Sequence, residues 1–189
     1  MHPSRDPRVL YLDFDGVLHP DEAYWNRKKG VYLAGPGQLF MFSGHLIEAL
    51  DPHPDVKLVL STTWVRMLSY SKAKRFLPQA LRDRVIGATW HSRYKADPET
   101  KYWWEGASRY ETIVGDVLRR RPLAWAAIDD DVQGWSAEHR DHLVATPSPR
   151  GLGDPAARAR LKTVLNDLTT PGRLPFPRPF DYRGPVITL

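Results

Sequence analysis

The chain has 189 residues, of which 42% are hydrophobic and 26% charged, and it carries a net charge of +5. This length and composition indicate one soluble globular domain with a substantial core. It contains no cysteine, which excludes disulfides, thiolate nucleophiles and zinc–thiolate sites. No apolar stretch is long enough to span a membrane and residues 1–7 are polar, so we expect a cytoplasmic protein with a loose N-terminal segment.

The first apolar run of the chain leads into two carboxylates. Residues 9–12 are strand-like, and Asp13 and Asp15 follow them into a turn at Gly16. Two carboxylates buried at the end of a core strand are unfavourable unless something pairs with them, as a bound cation together with a phosphate-bearing substrate would. The alternative is an ordinary turn with exposed aspartates, and this motif alone does not separate the two interpretations.

The segment after this motif, residues 19–42, is rich in glycine, aromatic residues and charge, and it lacks a helical period. We interpret it as a flap or loop with one hairpin, too short for a separate cap domain. At the other end of the chain, residues 169–189 contain five prolines. They are expected to form an extended tail that lies over the domain or contacts a partner.

Two later apolar runs also end in polar side chains, hydroxyls in one case and carboxylates in the other. The runs and the side chains that follow them are residues 56–60 with Ser61 and Thr62, and residues 123–128 with Asp129 and Asp130. Short apolar runs without alternation, separated by helical patterns, indicate parallel strands buried on both faces. Ligands bind beyond the carboxyl ends of the strands in a doubly wound sheet, so these polar groups are predicted to meet in one crevice.

The remaining pattern predicts helices and strands around these runs. Ser108 and Glu111 match a capping box at the start of a helix that reaches about residue 119. Asp154 and Pro155 begin the last helix, which ends near residue 168. The polar, aromatic connection over 91–107 is interpreted as a functional loop. The other predicted elements are a helix over 44–50 capped by Ser43, a basic helix over 65–76, and strands over 84–89 and 142–146.

Positive charge is concentrated in the middle of the chain. Residues 66–121 contain 13 Lys or Arg and 6 Asp or Glu. Such a stretch can recruit a phosphate-rich or other anionic partner. It can equally be the solvated face of surface helices, and the sequence leaves both interpretations open.

The ordered set of motifs resembles the haloacid dehalogenase (HAD) superfamily of phosphatases. It consists of Asp13-x-Asp15-Gly-Val-Leu, the hydroxyls after the second apolar run, and the apolar run that ends in Asp129 and Asp130. Similarity to the HAD domains of bacterial multidomain RNA-repair proteins comes from Trp135 and the sequences Leu-Ser-Thr-Thr-Trp (60–64), Pro-Leu-Ala-Trp-Ala-Ala-Ile-Asp-Asp-Asp (122–131) and Arg-Gly-Leu (150–152). The resemblance covers roughly residues 8–168. It implies an α/β fold with a doubly wound, mainly parallel sheet flanked by helices, a small flap and no large cap domain.

The resemblance also implies a role for each carboxylate. Asp13 would be the nucleophile that attacks phosphorus and forms an aspartyl-phosphate, and Asp15 the general acid and base. Asp13 and the backbone carbonyl of Asp15 would bind Mg²⁺. Asp129 and Asp130 would complete the metal site, one directly and the other through water or by orienting a ligand, with Asp131 outside it. The alternative for Asp15 is a side chain that only orders the glycine turn.

Hydroxyl groups and one cation would hold the phosphate. Thr62 is favoured over Ser61 because the Thr-Thr-Trp sequence resembles Thr-Gly-Trp in relatives. The family usually places a Lys or Arg at the start of the helix before the last motif, where this chain has Arg109. Lys101 and Lys95 are the alternatives for this cation.

These roles together predict a Mg²⁺-dependent phosphatase that acts through an aspartyl-phosphate on nucleotides or on the terminal phosphates of nucleic acids. The open site and the basic middle region favour a large anionic substrate. Two other functions remain. One is phosphate transfer to an acceptor other than water, which uses the same residues. The other is nucleic-acid or protein binding by a HAD fold without turnover, which has no chemical need for Asp15.

Overall fold

A parallel sheet of five strands lies at the centre of the computed structural model, which describes residues 8–21, 23–174 and 184. In chain order the strands are β1 (Arg8–Leu12), β2 (Ala23–Asn26), β3 (Gly30–Leu33), β4 (Val56–Leu60), β5 (Val85–Ala88), β6 (Trp125–Asp129) and β7 (Leu143–Ala145). The central sheet has the order β5-β4-β1-β6-β7, and every neighbouring pair in it is parallel.

Helices cover both faces of this sheet. They are α1 (Ser43–Leu50), α2 (Thr63–Leu68), α3 (Tyr70–Arg75), α4 (Gln79–Arg82), α5 (Pro98–Gly106), α6 (Arg109–Arg120) and α7 (Pro155–Thr169). Leu10 and Leu12 of β1 pack with apolar side chains of α1 and α7, whereas Val9 and Tyr11 pack with α6. Successive side chains of a strand point to opposite faces, so β1 contributes to both cores. The predicted doubly wound α/β architecture is confirmed.

Residues 19–42, predicted as a flap, contain the antiparallel hairpin β2–β3. Ala23 and Val31 pack against the core, while Tyr24 and Trp25 are about half exposed. A cavity of about 80 Å³ between the hairpin and α2 is lined in part by Asp15. The hairpin therefore lies beside the first motif of the chain.

The basic helix predicted over 65–76 is two helices. Ser69 has a φ of +108°, which interrupts the helical path between α2 and α3. Its hydroxyl accepts a hydrogen bond from the backbone N–H of Lys72 at 3.4 Å and begins α3. Apolar periodicity continues across such a break, so the sequence pattern did not reveal it.

Two further predictions about helix starts and loops were wrong. The connection over 91–107 is not a plain loop: it holds a 3-10 turn, Ser92–Lys95, and then α5. The side chain of Asp97 starts α5 by accepting a hydrogen bond from the backbone N–H of Thr100 at 2.9 Å. Ser43 does not cap α1, because its hydroxyl donates to the backbone oxygen of Phe40 at 2.7 Å instead.

Predictions for the chain termini fall mainly outside the described residues. These are the loose segment over 1–7 and the part of the tail over 175–189, apart from Gly184. The start of the predicted tail is described: Thr169 closes α7 and Leu174 is buried in the main core. Among the helices of the described ranges, none has the length and apolar character needed to cross a membrane.

Candidate active site

The carboxyl ends of three adjacent strands bring the predicted polar side chains together. Asp13 directly follows β1, Ser61 and Thr62 follow β4, and Asp129 is the last residue of β6. Because β1 lies between β4 and β6, these residues share one edge of the sheet. Asp13, Asp129 and Asp130 each place a carboxylate oxygen within 4.8 Å of the other two. We call these three residues the carboxylate cluster.

Arg109 reaches two members of the carboxylate cluster. Its Nη2 lies 3.1 Å from Oδ2 of Asp13, and its Nε lies 3.2 Å from Oδ2 of Asp129. Its Nη1 donates a hydrogen bond to the backbone oxygen of Ser61. The guanidinium is thus held against the ends of all three central strands.

A capping box positions Arg109 at the start of α6. The hydroxyl of Ser108 accepts a hydrogen bond from the backbone N–H of Glu111 at 3.2 Å. The carboxylate of Glu111 in turn accepts one from the backbone N–H of Ser108 at 2.8 Å. Both bonds satisfy amides that the first helical turn would otherwise leave unpaired. The capping box expected from the sequence is therefore present.

Burial and mutual repulsion raise the pKa of every carboxyl in the cluster. Burial raises the pKa of Asp13, and the charge of Arg109 opposes this shift. Burial, followed by the charge of Asp13, holds the pKa of Asp129 well above its usual range. The same two causes raise the pKa of Asp130 to about 6. One guanidinium therefore does not balance three clustered carboxylates.

The carboxylate cluster has the ligand chemistry of a Mg²⁺ site. Mg²⁺ binds carboxylate oxygens and retains several of its waters. Oδ2 of Asp129 is buried and accepts no hydrogen bond from the described residues, because Nε of Arg109 is poorly aligned with it. A buried polar atom of this kind is unfavourable unless something satisfies it, and a divalent cation would do so while also balancing the excess negative charge.

Asp15 is not part of the carboxylate cluster and accepts two hydrogen bonds. Nε1 of Trp64 donates to its Oδ2 at 2.8 Å, and Nε2 of His19 lies 3.1 Å from its Oδ1. Nδ1 of His19 accepts from the backbone N–H of Phe40 at 3.4 Å. Neutral histidine carries one N–H, so this arrangement assigns the proton to Nε2, which donates to Asp15. The carboxylate remains 22% exposed and within reach of a ligand.

His19 and Trp64 are site residues that the sequence did not identify. The sequence alone predicts a core position for Trp64 and leaves His19 between a structural role and substrate contact. His19 is fully buried and Trp64 nearly so. Each of the two rings packs edge-on against Phe40, and the two are tilted against each other. Their positions next to the first and second motifs were the available signal, but spacing in the chain does not reveal a hydrogen bond.

The structure separates the two candidate hydroxyls. Thr62 lines a cavity of about 240 Å³ that also contacts Arg109. Its hydroxyl accepts a hydrogen bond from the backbone N–H of Trp64 at 3.4 Å and so begins α2. The hydroxyl of Ser61 is buried without a partner in the described part of the chain. The position of Thr62 is the more accessible to a ligand.

The other two candidate cations lie away from the carboxylates. Nζ of Lys101 pairs with Glu105 at 4.0 Å. Nζ of Lys95 lies 5.4 Å from the ring centre of Trp90. Arg109 is therefore the candidate that contacts Asp13. Asp131, expected to lie outside the metal site, is exposed and is not a member of the cluster.

Gly16 allows the first turn to approach Asp130. Its φ is +64°, and an added Cβ would lie 2.3 Å from Oδ2 of Asp130. Its backbone oxygen accepts a hydrogen bond from the hydroxyl of Thr146 at 2.8 Å. Only glycine combines this backbone conformation with so close a contact.

Comparison with known proteins gives one family and no individual relative. The family model described as the HAD domain in Swiss Army Knife RNA repair proteins matches residues 9–157. No curated protein and no solved structure matched significantly. The matched range includes both early motifs, Arg109, and the acidic end of β6, and it covers well over half of the chain. The chain therefore belongs to the family of HAD domains found in Swiss Army Knife RNA repair proteins.

Proposed function

We propose that this protein is a Mg²⁺-dependent phosphatase that acts through an aspartyl-phosphate on nucleotides or on terminal phosphates of nucleic acids. The contact of Arg109 with Asp13 and Asp129 carries the proposal. In this proposal Arg109 is the phosphate-binding cation, Asp13 the nucleophile and Asp129 a metal ligand, and direct contact among the three supports their acting together. A buried cluster of this composition is suited to binding a phosphate, whose own negative charge would otherwise repel the nucleophile.

In the first half of the proposed reaction, a carboxylate oxygen of Asp13 attacks phosphorus. The bond between phosphorus and the leaving oxygen breaks, and Asp15 supplies a proton to that oxygen. Arg109 and the hydroxyl of Thr62 hold the phosphate oxygens. Mg²⁺, when bound by the carboxylate cluster, would neutralise phosphate charge and keep the carboxylates ionised.

In the second half, Asp15 takes a proton from water, and the water attacks the phosphorus of the aspartyl-phosphate. The bond from phosphorus to Asp13 then breaks, releasing inorganic phosphate and restoring the carboxylate. Asp15 therefore loses one proton in the first half of the reaction and regains one in the second half. His19 and Trp64 orient it for this exchange, because each donates to a different oxygen of the carboxylate.

Three observations support a nucleotide or nucleic-acid substrate. The family is named for domains in RNA repair proteins. Residues 66–121 carry a large excess of Lys and Arg, which suits a polyanion. The flap contains a hairpin of two four-residue strands. So small an insertion leaves space at the site for a bulky leaving group.

Phosphate release from p-nitrophenyl phosphate and from phosphorylated nucleotides tests the proposal. With Mg²⁺ present, we expect turnover by the wild-type protein and a loss on the order of 10³-fold or more in Asp13→Asn, which removes the attacking oxygen. Asp141→Asn is the matched control, because the Asp141 carboxylate is 91% exposed and precedes β7 at the opposite end of the sheet. Equal activity of Asp13→Asn and the wild-type protein would refute the aspartyl-phosphate.

The same assay separates the two alternative functions. Transfer to an added alcohol at the expense of phosphate release would identify a phosphotransferase. Salt-sensitive RNA binding without Mg²⁺-dependent phosphate release would instead identify a binding module.

A further inference from the structure

A groove leads away from Arg109 towards α5. Its inner part is the cavity of about 240 Å³ that contains Thr62 and Arg109. Its outer part is a second cavity of about 260 Å³. Both parts share the side chains of Arg66, Trp90, Trp104 and Glu105 as walls. We call the two parts together the α5 groove.

Aromatic rings form much of the wall of the α5 groove. Trp104 stacks on Tyr94 with ring centres 5.6 Å apart and planes inclined by 23°, and Trp90 is only partly buried. Nε1 of Trp104 is buried and has no hydrogen-bond partner within the described ranges. Because this N–H is shielded from solvent, the groove presents the rings of Trp90 and Trp104 rather than this donor to a ligand.

The outer part of the groove is positively charged. Arg66, Lys95 and Lys101 line it, against one carboxylate, Glu105. All three basic side chains are exposed, and Nζ of Lys95 lies over the ring of Trp90. Interleaved cations and aromatic faces are the combination that binds single-stranded nucleic acid, where phosphates follow the charges and unpaired bases stack on the rings.

We propose that the α5 groove binds the terminal nucleotides of a single-stranded nucleic acid whose end phosphate reaches Arg109; this inference rests on the proposed function. The inner cavity takes the nucleotide next to the reacting phosphate, and the outer cavity takes the one beyond it. Duplex ends are poor ligands, because the bases beyond the terminal pair are stacked on both sides and have no free face for Trp90.

The opposite side of the site offers a weaker path. The cavity beneath the hairpin has a volume of about 80 Å³, and its wall contains no Lys or Arg from the described residues. Trp25 and Tyr24 on the hairpin are exposed aromatic residues that line that cavity, but the basic residues of the hairpin turn, Arg27, Lys28 and Lys29, are not part of its wall. Charge and volume therefore both favour the α5 groove.

Steady-state kinetics on two substrates tests the groove. Trp90→Ala is expected to raise KM for a short 5′- or 3′-phosphorylated single strand by about tenfold or more, since removing one base–aromatic stack has an effect of this size. Because p-nitrophenyl phosphate carries no second nucleotide to occupy the outer cavity, its KM is expected to rise clearly less than that of the oligonucleotide. Trp90→Phe keeps an aromatic face and is expected to restore most of the affinity.

The charge of the groove is tested by Arg66→Ala combined with Lys95→Ala. This double variant should reduce the magnitude of the slope of log affinity against log salt by about 1.4, which is about 0.7 for each single-strand phosphate that the protein no longer neutralises. Lys162→Ala, an exposed change on α7, and Trp25→Ala, on the hairpin, are the matched controls. The proposal is wrong if Trp90→Ala leaves the oligonucleotide KM unchanged, if Trp25→Ala raises it instead, or if duplex and single strand are equally good substrates.

Binding separates failure of the groove from failure of the proposed chemistry. Fluorescence anisotropy of a labelled, phosphorylated single strand with Asp13→Asn protein needs no turnover. Weaker binding after Trp90→Ala in that background supports the groove even if the wild-type protein releases no phosphate. Unchanged binding overturns the groove while leaving p-nitrophenyl phosphate turnover to decide the phosphatase.

Discussion

At the scale of single residues, the contact between Gly16 and Asp130 connects backbone conformation to metal binding. Gly16→Ala would place a Cβ 2.3 Å from Oδ2 of Asp130, so that carboxylate must move. Gly30→Ala is the matched control, because Gly30 has a φ of +69° with nothing within 4 Å of the added Cβ.

Both variants are expected to lose about 1–2 kcal/mol of folding free energy from the left-handed backbone. Only Gly16→Ala is expected to weaken Mg²⁺ binding, by about tenfold or more, as the loss of one well-placed carboxylate would. Urea denaturation measures the first effect and calorimetric titration the second. Equal Mg²⁺ affinity in the two variants would show that Asp130 is not a ligand.

The residues that could be predicted from the sequence are those that end strands. Asp13, Thr62 and Asp129 follow or close apolar runs, and parallel topology brings such ends together. His19 and Trp64 could not be assigned in this way, because they act through hydrogen bonds to Asp15. His19 reaches Asp15 from the end of the first turn, and Trp64 reaches it from the start of α2. The helix-start position favoured Arg109 over Lys95 and Lys101 in the sequence, and the fold adds that Arg109 is the one of the three that contacts Asp13.

At the scale of elements, the first turn of α6 couples stability to the site. Ser108→Ala removes the hydroxyl that accepts from Glu111 N–H, and we expect a loss of about 1 kcal/mol of folding free energy. Because Arg109 is the next residue, KM for a phosphorylated substrate should rise as well. Glu111→Gln preserves the capping-box pattern and should leave both quantities near wild type. A stability loss in Ser108→Ala with no change in KM would mean that the cap does not position Arg109.

Elements with strong local signals were predicted well, and those set by local exceptions were not. The capping box of α6 and the Asp-Pro start of α7 were visible in the sequence, because side-chain caps require particular residue types. The division between α2 and α3 depends on the φ of Ser69, which residue type does not indicate. The helix α5 begins with the same Asp-Pro pair, Asp97 and Pro98, but it lies in a polar, aromatic segment with little apolar periodicity, so the wider pattern favoured a loop.

At the scale of the whole molecule, the carboxylate cluster makes folding depend on pH and metal. The folded protein raises the pKa of Asp130 to about 6, above the roughly 3.9 of an unfolded Asp. The folded state therefore binds more protons across this window, and Asp130 makes the metal-free protein less stable as pH rises from about 4 to 6. Mg²⁺ binds the deprotonated carboxylates, so its stabilising effect grows over the same range.

We expect Mg²⁺ at a hundred times its dissociation constant to raise Tm by about 5–10 °C near pH 7.5. The increase should be much smaller near pH 5, where protons compete for the cluster. Thermal unfolding followed by circular dichroism measures both shifts. Asp130→Asn should shrink the shift at the higher pH, and an equal shift at both pH values in the wild-type protein would count against a carboxylate site.

The position of β1 between β4 and β6 also bears on the order in which the chain can fold. β4 pairs with one edge of β1 through nearby sequence, but the other edge waits for Trp125–Asp129. During synthesis, a strand with four buried residues, 9–12, therefore has an open edge until about two thirds of the chain has emerged. Such an edge is a template for pairing with another chain. We expect the nascent protein to be prone to aggregation in this interval, and pairing with β6 covers this edge of β1 in the same event that brings Asp129 to Asp13.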